Sequence, residues 1–153
     1  MPHVPPRIIE PSPEADAELN AFLDERIYEF NIQATGVRDG RPFASVIKDE
    51  SGNVIAAING HTWGRCCYVA HLWVHESQRR RGVGRALLQA AEEEARRRGC
   101  TQALLFTHSF QAPGFYECLG YVRHATIPNY PQGHAQHVYL KPLEREGSTE
   151  PSI

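Results

Sequence analysis

The residues most suited to chemistry lie together in Arg79-Arg80-Arg81-Gly82-Val83-Gly84-Arg85, where a loop passes into a helix. Glycine has no β-carbon, so a ligand can approach the backbone closely at Gly82 and Gly84. The first turn of a helix leaves amide N–H groups unpaired and carries the positive end of the helix dipole. Those donors suit an anion, and three arginines just upstream add formal charge, so a diphosphate is the natural guest. An ordinary helix start with a solvated basic loop uses the same residues, and a pair of glycines does not decide between the two.

The elements around this stretch follow from periodicity. Cys66 to His75 is rich in β-formers and leads directly into the loop, as a central strand would. Its alternation puts Ala70, Leu72 and Val74 on an apolar face and His71, Trp73 and His75 on a mixed face that can look into a cleft. From Gly84 to Arg98 the spacing is helical, with Leu87, Leu88, Ala91 and Ala95 inward and Glu92, Glu93, Glu94, Arg96, Arg97 and Arg98 largely solvated. Gly99 stops the helix. Ala103 to Thr107 is a short apolar run that completes a βαβ unit, a parallel pair with the strand before the loop. The segment Ser109 to Tyr121 follows as a short helix closed by Gly120.

Upstream, Arg7 to Glu10 reads as a first strand, and Ser12-Pro13 as the N-cap and first position of a helix that ends near Gly36. That helix carries Leu19, Phe22, Leu23, Ile27 and Phe30 at helical spacing, a stripe expected to be core. Phe43 to Lys48 and Val54 to His61 form a hairpin around Glu50 to Asn53. At the other end, Tyr121 to Ala125 and Gln136 to Leu140 read as an antiparallel pair joined by the loop Thr126 to Ala135. The tail from Glu144 to Ile153 is polar and expected to be disordered, leaving residues 1–143 as a single domain.

Composition narrows the function. The 153 residues are 41% hydrophobic and 22% charged, with a formal net charge of -2, so the chain lacks the basic footprint of a nucleic-acid binder. No apolar run reaches membrane-spanning length and the N-terminus has no signal-peptide character, so a cytoplasmic protein without a membrane partner is expected. Four cysteines without a C-x-x-C pair argue for reduced thiols. His71 and His75 would stand about 13 Å apart on a strand, too far to share one ion, and no metal site is expected. A dinucleotide fold is disfavoured, because there is one βαβ unit and Leu87 stands where a third glycine belongs.

Two motifs in order then carry a resemblance. Arg79-x-x-Gly82-x-Gly84 follows a strand ending Leu72-Trp73-Val74, and Ala112-x-x-Phe115-Tyr116-Glu117-x-x-Gly120-Tyr121 follows the next strand. Together they resemble the GNAT family of acyl-CoA-dependent N-acetyltransferases, over most of the chain. The resemblance implies an α/β (α+β) fold: a mixed, mostly antiparallel twisted sheet of six to seven strands, a central parallel βαβ pair and helices on both faces. It implies acetyl-CoA as co-substrate and no metal. The amides of Arg81, Gly82, Val83 and Gly84 would hold the pyrophosphate, with Arg79, Arg80 and Arg85 adding charge. The backbone of Leu72, Trp73 and Val74 would pair with pantetheine, which requires the parallel strands to splay. Ser109 stands where many members have an asparagine near the pantetheine arm, so that contact is expected to be weaker or made by a neighbour.

Acetyl transfer to an amine needs a proton donor for the departing sulfur and a base for the amine. The motif makes Tyr116 the candidate acid. His71, on the mixed face with Glu76 and Tyr68 behind it, is the candidate base, against an ordinary structural role. Tyr28, Trp73, Tyr130 and His134 are candidates to hold a small amine, in a pocket built from the first helix, Asn31 to Arg41 and Thr126 to Ala135. The expected function is acetyl transfer to a primary amine of a small molecule. A protein or peptide N-acetyltransferase and a non-catalytic acyl-CoA sensor remain the alternatives, and a homodimer through sheet edges stays open.

Overall fold

The computed structural model describes residues 11–14 and 16–144. The expected first strand, Arg7 to Glu10, and the tail from Arg145 onward lie outside the described residues. The chain divides after Gly36 into two compact units.

The first unit contains α1, Ala17–Thr35. Its N-cap is Asp16, not Ser12: the Asp16 carboxylate accepts from the Leu19 N–H, while the Ser12 hydroxyl is engaged by the Glu14 N–H in a local turn. The helix ends where expected, on Gly36 in the left-handed conformation at φ 74°, which glycine adopts without a steric cost. Leu19, Phe22, Leu23, Ile27 and Phe30 are exposed. One helix has no second surface of its own, so the burial expected for this stripe is not achieved within the unit.

The second unit is built on a six-stranded sheet: β1 Arg41–Lys48, β2 Val54–Trp63, β3 Cys66–Val74, β4 Gln102–His108, β5 Val122–Pro128 and β6 Ala135–Pro142, in the order β1-β2-β3-β4-β6-β5. All neighbours are antiparallel except β3 and β4. The crossover between those two is α2, Val83–Arg97, and α3, Pro113–Cys118, follows β4. This is the mixed, mostly antiparallel sheet with one parallel pair that the sequence implies.

The core lies between the sheet and α2. Leu87, Leu88, Ala91 and Ala95 of the helix are buried with Ala56, Ile58, Cys67, Val69, Ala103, Leu105 and Tyr139 of the sheet. Burying a leucine such as Leu88 contributes about 2 kcal/mol through removal of apolar surface from water. Glu92 departs from the expected solvated face. It is buried, its carboxylate accepting from the Tyr121 hydroxyl at 3.0 Å and from Lys141 Nζ at 2.9 and 3.1 Å. Residue 92 follows Leu88 by one helical turn, so it shares the inward stripe, and the lysine from β6 supplies the partner a buried carboxylate requires.

Candidate active site

The site begins as a fault in the sheet. β2 and β3 pair regularly from Trp63 and Cys66 to Gly60 and Val69, then resume at Asn59 and His71, leaving Ala70 as an extra residue. Such a bulge bends its strand and shifts the side-chain phase. Before it, Cys67 and Val69 face the core; after it, Leu72 and Val74 do. Tyr68 and His71 therefore share the opposite face, which strict alternation would not give. Beyond the bulge the parallel pairing stops: the last partners are Val69 and Leu105, although β3 runs to Val74 and β4 to His108. The strands splay, as pantetheine pairing would require, and a cleft of about 1090 Å³ occupies the gap.

One wall of the cleft is the loop into α2. His75 starts a single 3-10 turn at Glu76–Gln78, with Nδ1 accepting from the Ser77 N–H, and Arg79 Nε donates to the Val74 carbonyl at 3.2 Å. These bonds tie the loop back to the end of β3. Gly82 is the N-cap of α2 at φ 77°, offers no side-chain cap, and among the described residues has no atom within 4 Å of where a β-carbon would stand. The first bond of the helix is Ala86 N–H to Gly82 carbonyl, so the amides of Val83, Gly84 and Arg85 precede it as donors without a partner among the described residues. Arg79, Arg80 and Arg85 line the same space. Backbone donors, positive charge and room for a ligand coincide, which is what a diphosphate needs.

The second wall is β4 and α3. Tyr116 lies on α3, 9% exposed, packed against the rings of Phe115, Tyr121 and Tyr139 at 5.1 to 6.4 Å between centroids. Burial raises its phenol above the ordinary value of 10.0, so it keeps its proton at neutral pH. His71, on β3, reaches the cleft from the face that carries Asn59, and its Nδ1 lies 2.9 Å from Asn59 Oδ1. A phenol that stays protonated and an imidazole thus border one cavity. The arrangement can give a proton at one point and take one at another.

Of the residues singled out in the sequence, His71, Leu72, Trp73, Val74, Arg79, Arg80, Gly82, Val83, Gly84, Arg85 and Tyr116 line this cleft. Arg81 and Ser109 do not. The Ser109 hydroxyl accepts from the Ala135 N–H and its own N–H donates to the Ala135 carbonyl, fastening β4 to β6. Its place beside the cleft is taken by Phe110 and Gln111. The Gln111 carboxamide oxygen accepts from the His108 N–H and the Thr107 hydroxyl, closing off the end of β4. Phe115, named in the second motif without a role, also lines the cleft, and Phe110 and Gln111, just before that motif, were not among the expected site residues. Gln78, one residue before Arg79, was also passed over.

Residues 8–121 match the sequence model of the Acetyltransferase (GNAT) family. The chain is 36% identical over 116 residues to blasticidin-S acetyltransferase of Streptomyces morookaense, a match covering 73% of this chain and 85% of that protein. It is 34% identical over 109 residues to acetyltransferase Atu2258 of Agrobacterium fabrum, covering 71% and 80%. The crystal structure of an acetyltransferase from Agrobacterium tumefaciens aligns with a TM-score of 0.79 at 29% identity, over 89% of this chain and 99% of that one. The chain belongs to the GNAT acetyltransferase family. It is an acetyl-CoA-dependent N-acetyltransferase.

Proposed function

We propose that the protein moves an acetyl group from acetyl-CoA to a primary amine of a small molecule, with Tyr116 as acid and His71 as base. The observation that carries this reading is that one cleft is bordered by the glycine turn of α2, by Tyr116 and by His71. The α2 amides and Arg79, Arg80 and Arg85 would hold the pyrophosphate. Leu72, Trp73 and Val74 have no ladder partner in β4, and their backbone would meet the pantetheine amides, with the Val74 carbonyl also accepting from Arg79 Nε. His71 takes a proton from the ammonium, the amine nitrogen bonds to the thioester carbonyl carbon, the C–S bond breaks as Tyr116 protonates the departing thiolate, and the nitrogen's surplus proton passes through solvent to restore the Tyr116 phenol, leaving a neutral amide. The thiolate, whose conjugate thiol has a pKa of about 8.5, is a weaker base than a phenolate, so the hydrogen bond from Tyr116 matters most while charge builds on sulfur.

A small-molecule acceptor is supported by the relative named for blasticidin S, which makes that antibiotic the first compound to try. The family match runs across both compact units, which supports a single transferase domain over residues 1–143. Cytoplasmic action goes with this reading, and the four cysteines are free.

The test is release of CoA thiol from acetyl-CoA across a panel of blasticidin S, aminoglycosides, polyamines, amino acids and peptides, with Tyr116→Phe alongside. Turnover of a small amine, reduced about 10²-fold in Tyr116→Phe, is the expected result. Turnover of peptides alone would overturn the small-molecule assignment. Acetyl-CoA binding without turnover of any amine would favour the sensor.

A further inference from the structure

We propose that the acceptor carries a planar unsaturated ring next to its amine, and that the ring rests on an aromatic ledge formed by His108, Phe110, Tyr130 and His134. This rests on the reading just given and names the class of substrate for the same site. His108 and Phe110 stack in parallel, 5.2 Å between centroids with 4° between planes. Tyr130 meets His108 edge-on at 5.2 Å, and His134 meets Phe110 edge-on at 5.0 Å. The His108 Nδ1 lies 2.9 Å from the Tyr130 carbonyl; a carbonyl only accepts, so Nδ1 carries the proton and fixes the ring plane.

Three observations make the ledge a binding surface. Phe110 and Tyr130 are 55% and 54% exposed although they belong to a packed ring cluster, so among the described residues the rings are held in place with about half of their surface open. Phe110 also lines the cleft, so the ledge is continuous with the reacting site. Finally, β4 alternates: Ala103, Leu105 and Thr107 are buried toward α2, while Phe106 and His108 lie on the face shared with Tyr68 and His71, where Phe106 and Tyr68 meet edge-on at 6.1 Å. The glycine turn and α2 lie on one side of the sheet, the ledge and His71 on the other. An acceptor approaching from that second side meets π surface before it meets the imidazole.

Rings of this kind prefer offset or edge contacts with another flat ring, and a puckered ring of equal size cannot make them. The probes are therefore 2-phenylethylamine, 2-(2-pyridyl)ethylamine and 2-cyclohexylethylamine, alike in charge distance and near in volume. Two measurements are made on the full-length protein and on Phe110→Leu and Tyr130→Leu: kcat/KM with saturating acetyl-CoA, and equilibrium dialysis of each amine in the presence of coenzyme A. The flat amines are expected to exceed the cyclohexyl amine by about fivefold in both. Phe110→Leu should bring that ratio to near one. The ratio is internal to each preparation, so a partly unfolded variant lowers both values and leaves it unchanged. Flat-ring selectivity in dialysis without turnover of these amines would uphold the ledge and count against the assigned base and acid acting on the amine it holds. Turnover with no flat-ring preference, a preference that survives both variants, or no binding of any probe would overturn the ledge.

Discussion

Asn59 and His71 face each other across β2 and β3, with Oδ1 of the amide 2.9 Å from Nδ1 of the ring. The amide oxygen accepts, so Nδ1 carries the proton, and in the neutral ring the lone pair is on Nε2. A base needs that lone pair, and Asn59 is what orients it. His71→Ala should lower kcat about 10²-fold with the KM for acetyl-CoA unchanged, and Asn59→Leu should lower it about tenfold by releasing the ring. Steady-state kinetics decide it: a His71→Ala enzyme within twofold of the parent removes His71 from the mechanism.

The two glycines of the turn differ in what they tolerate. A β-carbon at Gly84 would stand 3.4 Å from Val74 Cγ2 and 3.5 Å from Phe115 Cζ, an ordinary contact distance, so Gly84→Ala should leave the acetyl-CoA KM within about threefold. Gly84→Val adds methyls against those side chains and should raise it at least tenfold, at about 1.4 kcal/mol per factor of ten. Gly82 has space around it but sits at φ 77°, so Gly82→Ala strains the backbone by about 1 kcal/mol. Initial rates against acetyl-CoA concentration separate the cases.

The buried carboxylate of Glu92 bears on stability and not on chemistry. Glu92→Ala strands Lys141 Nζ and the Tyr121 hydroxyl without their acceptor and is expected to destabilise by about 3 kcal/mol in urea unfolding. Replacing Glu92 and Lys141 together by methionine should restore the part of that loss due to the stranded lysine, the Tyr121 hydroxyl still lacking its acceptor. A double variant no more stable than the single would show that the pair is not the source of the effect.

Much of this architecture was written locally in the chain. The glycine turn, the crossover helix, the apolar β4 run and the Tyr116 motif are each short-range patterns of residue type, and the structure brings their side chains to one cleft. The bulge at Ala70 was not readable, because register is a property of two strands and nothing in Val69-Ala70-His71 announces an unpaired residue. The Ser109 bonds to Ala135 and the ring cluster from Phe110 to His134 are likewise long-range. Glu92 is a different kind of miss: its place one turn after Leu88 was visible, but its charge matched the solvated residues beside it. Ser12 and Asp16 are both good caps, and only geometry chose between them.

Alkaline pH should weaken the fold through Cys67. Burial, and then the neighbouring Cys100 and Cys66, pushes its thiol from the ordinary 9.0 up to about 12, while burial also raises Cys66 and Cys100. The folded thiol keeps its proton where the unfolded one loses it. The stabilisation is therefore complete below pH 9 and falls as pH rises toward 12, by about 1.4 kcal/mol per unit for one such group. Urea unfolding at pH 8, 9.5 and 11 should show this decline. In Cys67→Ala the slope should be shallower; an equal slope would assign the decline to other groups.

The extra residue in β3 sets folding against use. Without Ala70 the strand would run true beside β2, and nothing would turn its second half away from β4. The sheet would gain a longer uninterrupted ladder and lose the opening that Tyr116 and His71 share. A search for sturdier variants of this protein would therefore be drawn to this position, and success there would yield a better-folded protein with nowhere to put its substrate.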